Sequence, residues 1–92
     1  KFSCQLHDML SGPLNNNFEG VYSLDVLEHI SRNDERVFVK NMGDSLAPQG
    51  DLLVGSPSIQ SQTYASPGSK VGHVNCKDHN QLKKLMKKLE CQ

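Results

Sequence analysis

The sequence predicts an α/β fold with a parallel sheet, and three segments carry this prediction. Residues 20–26 are an apolar run with β-branched and aromatic side chains, and residues 51–55 contain a second, shorter run. Runs of this kind are typical of buried strands. Between them, Phe38, Met42 and Leu46 recur every four residues, which places them on one face of a helix. Strands that alternate with a helix indicate parallel pairing.

The other segments complete the order strand, loop, strand, helix, strand, long loop, helix. Residues 2–6 form a short mixed apolar run, which we expect to be a first strand, and residues 11–17 hold the Gly, Pro and Asn residues of a loop. The first helix should span residues 34–46 and end at Pro48 and Gly50.

The second half of the chain predicts a long loop and a final helix. Residues 56–77 are rich in Ser, Gly, Gln and Pro without any period, as in a functional lid or a disordered segment. A final helix is then predicted from the i, i+3, i+4, i+7 spacing, with Asp78 or Asn80 as its cap. The apolar positions of that helix are Leu82, Leu85, Met86 and Leu89.

Composition limits the function classes. The chain has 92 residues, enough for one small domain, and its ten basic and ten acidic residues balance to zero net charge. No overall field therefore favours nucleic acid or an anionic membrane, and the four lysines of the last helix are expected to be a solvated face. No segment approaches the roughly 18 apolar residues of a membrane span. Cys4, Cys76 and Cys91 form no metal or disulfide pattern, which predicts reduced thiols and a cytoplasmic protein.

Four segments, taken in order, carry a family resemblance. Residues 7–9 read His-Asp-Met, residues 18–30 read FEGVYSLDVLEHI, residues 45–54 read SLAPQGDLLV, and residues 72–75 read GHVN. Together they resemble the third-strand end, the fourth-strand motif, the turn into the fifth strand and the following segment of the class I S-adenosylmethionine-dependent methyltransferases. Gln49 stands where that family usually has glycine.

The resemblance implies part of a Rossmann-like methyltransferase sheet, with the third, fourth and fifth strands and flanking helices. It implies that Asp8 and Met9 contact the adenine of S-adenosyl-L-methionine, and that the backbone of Ser23 and Leu24 accepts from its methionine ammonium group. The family's glycine-rich cofactor turn does not occur in these residues. We therefore expect residues 1–92 to be a partial domain that is inactive alone.

Asp25, Glu28 and His29 follow the predicted strand 20–26, and three hypotheses for them stay open. They could make ordinary hydrogen bonds at a helix start; His29 could be a general base; or the three could hold a divalent cation, since carboxylates and imidazole are metal ligands. Some methyltransferases with a similar acid-x-x-Glu-His spacing use such a cation. In the family, the histidine at His73 borders the mouth of the active site, where it could serve in catalysis or complete a metal site.

The expected function is therefore methyl transfer from S-adenosylmethionine to an O, N, S or C nucleophile, most simply on a small molecule. Tyr64, Asn75 and Lys77 are weaker candidates for the same pocket. Two other classes remain open: another nucleotide-binding α/β enzyme, and a non-catalytic interaction module in which the polar cluster is structural.

Overall fold

The computed structural model describes residues 2–15 and 17–90, with Leu89 and Glu90 described by their backbone alone. This part of the chain has an α/β architecture with a two-stranded parallel sheet, which confirms the predicted class. Asn16, Cys91 and the side chain of Leu89 lie outside the described residues. The elements, in chain order, are β1 (Phe18–Leu24), a 3₁₀ helix (Leu27–His29), α1 (Glu35–Asp44), β2 (Leu46–Gly55), a second 3₁₀ helix (Gln60–Tyr64), α2 (Pro67–Gly72) and α3 (His79–Glu90).

The prediction of a strand at residues 2–6 is wrong. Residues 2–7 have no regular structure, and the side chains of Phe2 and Leu6 are fully exposed. A short apolar run becomes a strand only when a neighbour satisfies its backbone groups and covers its side chains. Neither happens here, and the third-strand part of the predicted sheet is therefore absent from the described residues.

The first helix is shorter than predicted and β2 is longer. The helix ends at Asp44 rather than at residue 46, because the buried Ser45 closes it: the Ser45 hydroxyl donates to the carbonyl of Asn41 at 2.8 Å. Pro48 and Gly50, predicted to stop the helix, lie inside β2.

The sheet is regular only in its second half. Gly20 pairs with Asp51, and the parallel register continues to Leu24 and Gly55, but the preceding partners are shifted. In the shifted part, Gln49 has a φ of 65°, the left-handed region that favours glycine. Glycine would adopt this conformation without strain.

The core lies between the sheet, α1 and α3, and most of the apolar positions predicted for the two helices belong to it. Leu46, predicted on the apolar face of the first helix, is instead the first residue of β2. Asp78 caps α3 as predicted: its carboxylate accepts from the Gln81 amide at 2.8 Å, and the Gln81 side chain accepts from the Asp78 amide at 2.9 Å. This reciprocal pair is a capping box. The buried apolar residues are Leu27, Phe38, Val39, Met42 and Leu85, with Leu82 and Met86 packed against them.

Residues 56–77 are not one long loop. They contain the second 3₁₀ helix and α2, which begins with Ser66 accepting from the Ser69 amide and Pro67 in its first turn. A proline at the start of a helix loses no hydrogen bond, so the Pro and Ser residues that suggested a loop instead start a helix. After α2, Lys77 pairs with Ser58 in an isolated parallel bridge that lies outside β1 and β2.

The surface of α3 agrees with the prediction of a solvated basic face. Its four lysines are exposed: Lys83, Lys84, Lys87 and Lys88. Within the described residues, the helices are too short and too polar for any of them to cross a membrane.

Candidate functional site at the carboxyl end of the sheet

The site begins where β1 ends. The Asp25 amide donates to the carbonyl of Gly55 at 2.9 Å, and Asp25 itself is left-handed, with a φ of 59°. This turn directs the chain into the 3₁₀ helix Leu27–His29. Leu27 is buried in the core, which anchors this 3₁₀ helix. Glu28 and His29 therefore follow directly after the carboxyl ends of the strands, which are paired at Leu24 and Gly55. Open α/β sheets bind ligands at this end.

Glu28 is the most deeply buried charged residue of the described chain. It is 1% exposed, and its Oε1 atom has no hydrogen-bond partner among the described residues. Burying a carboxylate oxygen without a partner costs several kcal/mol in general, so native structures rarely leave one unmatched. Glu28 therefore offers a buried acceptor oxygen that no described residue uses.

His29 faces Glu28 from the same 3₁₀ helix. Its Nε2 lies 3.8 Å from Glu28 Oε2, and its Nδ1 donates to the carbonyl of Gly72 at 2.7 Å. Because a carbonyl oxygen only accepts, the neutral ring carries its proton on Nδ1 and keeps a lone pair on Nε2. Glycine at position 72 permits this approach, since a Cβ there would lie only 3.3 Å from the ring carbon Cε1.

His73, which follows α2, approaches the same carboxylate oxygen of Glu28. Its Nε2 lies 3.9 Å from Glu28 Oε2, and its Nδ1 donates to the side-chain oxygen of Gln62 at 3.0 Å. The rings of His29 and His73 meet edge to face, with centroids 4.9 Å apart. Both imidazoles are thus held at Nδ1 and both direct Nε2 toward one carboxylate.

These three side chains form the Glu28–His29–His73 cluster. One ligand atom from each residue lies within 4.8 Å of the other two. Around a tetrahedral ion with bonds of about 2.1 Å, neighbouring ligand atoms stand about 3.4 Å apart. The two Glu28–histidine spacings are therefore within about half an ångström of such a site. His29 is half exposed and His73 mostly buried, so the cluster opens to solvent on the His29 side.

The cluster differs from the metal set that the sequence predicts. Glu28 and His29 belong to it, whereas Asp25 lies outside it and is exposed. Asp25 takes up the turn after β1, and His73 occupies the third position. The local spacing Asp-x-x-Glu-His points to Asp25. It cannot show that His73, more than 40 residues later, folds back beside Glu28 and His29.

The predicted cofactor residues are only partly brought together. Met9 and Ser23 both line a largely apolar cavity of about 440 Å³ beside β1, where the hydroxyl of Ser23 is buried without a partner in the described chain. Asp8 is exposed, and its carboxylate accepts from the Leu10 amide in a local turn at 3.0 Å. Leu24 is half exposed and does not line that cavity.

Of the weaker candidates, Tyr64 is exposed, whereas Asn75 and Lys77 are buried against Glu35. Burial opposes the charge of Glu35, but its hydrogen bonds to Lys77 and Asn75 and the charge of Lys77 prevail, and its pKa falls below the ordinary 4.5. At Cys76, burial first and the nearby Glu28 charge second raise the thiol pKa.

The sequence did not predict three residues that support the site. Gln62 and Gly72 fix the two histidines, and Glu35 holds the segment that follows His73. Gly72 belongs to the segment GHVN, but no contact with His29 was predicted for it, and no pattern marks Gln62 or Glu35. Comparison with protein-family models, with curated proteins and with solved structures finds no match for this chain.

Proposed function

We propose that this chain carries the acceptor side of an S-adenosylmethionine-dependent methyltransferase site, and that Glu28, His29 and His73 hold a divalent cation there. The observation that carries the proposal is the Glu28–His29–His73 cluster, which lies beyond the carboxyl ends of two parallel strands. The sequence resemblance supplies the reaction, and the cluster supplies an arrangement suited to activating an acceptor.

The three ligand atoms of the cluster favour a transition-metal cation. Two imidazole nitrogens and one carboxylate suit Zn²⁺, Fe²⁺, Co²⁺, Ni²⁺ or Mn²⁺, whereas Mg²⁺ and Ca²⁺ prefer oxygen ligands alone. The Nδ1 hydrogen bonds of His29 to Gly72 and of His73 to Gln62 are the outer contacts that orient metal-binding histidines elsewhere. The unmatched Oε1 of Glu28 is a further acceptor for the same charge.

A bound divalent cation would lower the pKa of an acceptor hydroxyl, so that its proton leaves for solvent at neutral pH. Glu28 and the two fixed Nε2 atoms would hold that cation at one point. The acceptor approaches on the exposed His29 side. Its oxygen then forms a bond to the methyl carbon while the carbon–sulfur bond breaks, and sulfur keeps the bonding pair. Without a cation, either Nε2 lone pair serves as the base that the sequence predicts for His29 and His73.

The donor side of the proposal rests on Met9 and Ser23. The resemblance assigns both to the cofactor, and both line one cavity, whose volume falls within the usual range for small-molecule sites. The free hydroxyl of Ser23 offers a polar anchor in an otherwise apolar lining. On this proposal, β1 and β2 correspond to the fourth and fifth strands of the family's Rossmann-like sheet.

Cation binding is tested by titrating the metal-free chain with Co²⁺ and following its visible absorption. We expect one Co²⁺ per chain in a four-coordinate spectrum, and at least about a 100-fold loss of affinity in His73→Gln and Glu28→Gln. His79→Gln, which changes an exposed histidine on α3, is the matched control and should bind as the native chain does. Equal binding by His73→Gln and His79→Gln would sink the cation proposal.

The methyl-donor side is tested separately by titrating S-adenosylmethionine into ¹⁵N-labelled chain. We expect the largest amide shift changes at Met9 and Ser23, with S-adenosylhomocysteine acting similarly and ATP not at all. Shifts confined to the lysines of α3, or equal responses to ATP, contradict the methyltransferase proposal and favour the nucleotide-binding or interaction-module alternatives.

A further inference from the structure

A buried polar network lies directly behind the cluster. Glu35 Oε2 accepts from Lys77 Nζ at 2.6 Å and from Asn75 Nδ2 at 2.7 Å, and Lys77 Nζ also donates to Asn75 Oδ1 at 3.2 Å. Asn75 is 2% exposed and Lys77 is 9% exposed. Polar side chains this deeply buried are costly unless every partner is present, so the network has one low-energy arrangement.

The network is attached to the cluster through the backbone. The Asn75 amide donates to the carbonyl of Glu28 at 2.9 Å, and the Lys77 carbonyl accepts from the Ile59 amide at 3.1 Å. Apart from that single bridge at Lys77, residues 73–77 lie in no helix or strand. Their path is therefore set by side-chain contacts, and His73 stands at one end of this path.

We infer that Glu35 and Lys77 are positioning residues for the cluster: through Asn75 they hold residues 73–77 against the 3₁₀ helix, and thereby keep His73 facing Glu28. Neither residue belongs to the cluster itself. The inference deepens the proposed cation site and rests on it for its function. The inference also predicts that the contact between the rings of His73 and His29 depends on Glu35. That prediction holds whether or not a cation binds.

The test compares two carboxylate-to-amide changes on the same helix. Glu35→Gln removes the charge that Lys77 faces inside the protein. Asp44→Asn breaks the exposed pair between Asp44 and Lys40, whose atoms are 2.6 Å apart at the surface. Exposed pairs contribute little. The first readout is the nuclear Overhauser contact between the rings of His29 and His73 in the metal-free chain, and the second is Co²⁺ affinity.

In Glu35→Gln we expect the ring contact to weaken or vanish and Co²⁺ affinity to fall by about 10- to 100-fold, as for other outer contacts of metal ligands. Asp44→Asn should leave both unchanged. Glu35→Asp keeps the charge and hence the fold but shortens the side chain, so an intermediate loss of affinity is expected. This variant serves in place of Glu35→Gln if the amide prevents folding.

The outcomes separate the two proposals. An unchanged ring contact and unchanged Co²⁺ affinity in folded Glu35→Gln or Glu35→Asp overturn the positioning role, whatever the native chain binds. A native chain that shows the ring contact but binds no Co²⁺ overturns the cation proposal, while loss of that contact in the variants still supports positioning. A lower unfolding free energy with both readouts intact marks a purely structural role and contradicts the inference.

Discussion

Residues 73–77 and residues 2–15 both lie outside the helices and strands, and they are held in different ways. Residues 73–77 are tied by a buried ion pair, a buried amide and backbone hydrogen bonds to two other elements. Residues 2–15 are tied mainly where Asn41 donates to the carbonyl of Met9 at 2.6 Å and Ser45 accepts from the Leu14 amide at 2.9 Å. The first segment carries His73, and the second carries the predicted adenine contacts.

The difference shows what a functional segment needs. The position of His73 is fixed because Asn75 and Lys77, which follow it, are buried and bonded to Glu35. Asp8, in contrast, is exposed and makes only a local turn, while Met9 reaches the cavity because Asn41 pins its carbonyl. A segment of irregular chain can place a side chain accurately only where buried groups replace the missing helix or strand.

The largest loss of stability is expected when residues 73–77 lose the charge of Lys77. Lys77→Ala leaves Glu35 charged and largely buried without its partner, which should lower the unfolding free energy by about 3 kcal/mol. Urea denaturation at neutral pH measures this change. Lys40→Ala breaks the exposed pair with Asp44 on α1, the helix that also carries Glu35. This change should lower the unfolding free energy by less than about 0.5 kcal/mol. Similar losses in the two variants would show that the buried pair does not hold the segment.

Releasing the loosely held segment should cost less. Asn41→Ala removes one hydrogen bond and leaves the carbonyl of Met9 unpaired, so we expect a loss of about 1 kcal/mol. Hydrogen exchange should then quicken among residues 9–14 while residues 73–77 keep their protection. Faster exchange in both segments would mean that they are coupled and that the comparison fails.

Acid should distinguish the two segments through Glu35. Its folded pKa lies below 4.5, so the unfolded chain binds the proton first, and the stability that Glu35 contributes is full above 4.5 and lost as pH falls through the folded pKa. Urea midpoints from pH 6 down to pH 3 should therefore fall more steeply in the native chain than in Glu35→Gln. Parallel curves would exclude a contribution from this carboxylate.

The smallest effect is expected at Asp25. Asp25→Gly keeps the left-handed turn, since glycine adopts a φ near 59° readily, and removes the carboxylate. Stability should change by less than about 1 kcal/mol, and Co²⁺ affinity by less than about twofold. A large loss of affinity with the fold intact would restore Asp25 to the ligand set and exclude the arrangement with His73 alone.

The α/β class and the positions of β1, α1 and α3 could be predicted because their apolar periodicity is local. The cap of α3 was predicted at Asp78 or Asn80, because capping also depends on neighbouring residues, and the structure has it at Asp78. The failed strand at residues 2–6 shows the limit, since a strand depends on a partner that the sequence does not reveal. Glu28 and His29 were predictable from one run of residues, whereas the meeting of His73 with them depends on how residues 56–77 fold back.

The hydrogen bond from His29 to Gly72 closes a long stretch of chain, 43 residues apart in sequence. A cation held by Glu28, His29 and His73 would close the same stretch as a reversible cross-link, without a disulfide. Because the three ligand residues come together only in the folded chain, the cation would stabilise that state by binding to it selectively. At a free cation concentration 100 times the dissociation constant, it would add about 2.7 kcal/mol to the free energy of unfolding. The melting temperature of this small domain would then follow the metal supply of its surroundings.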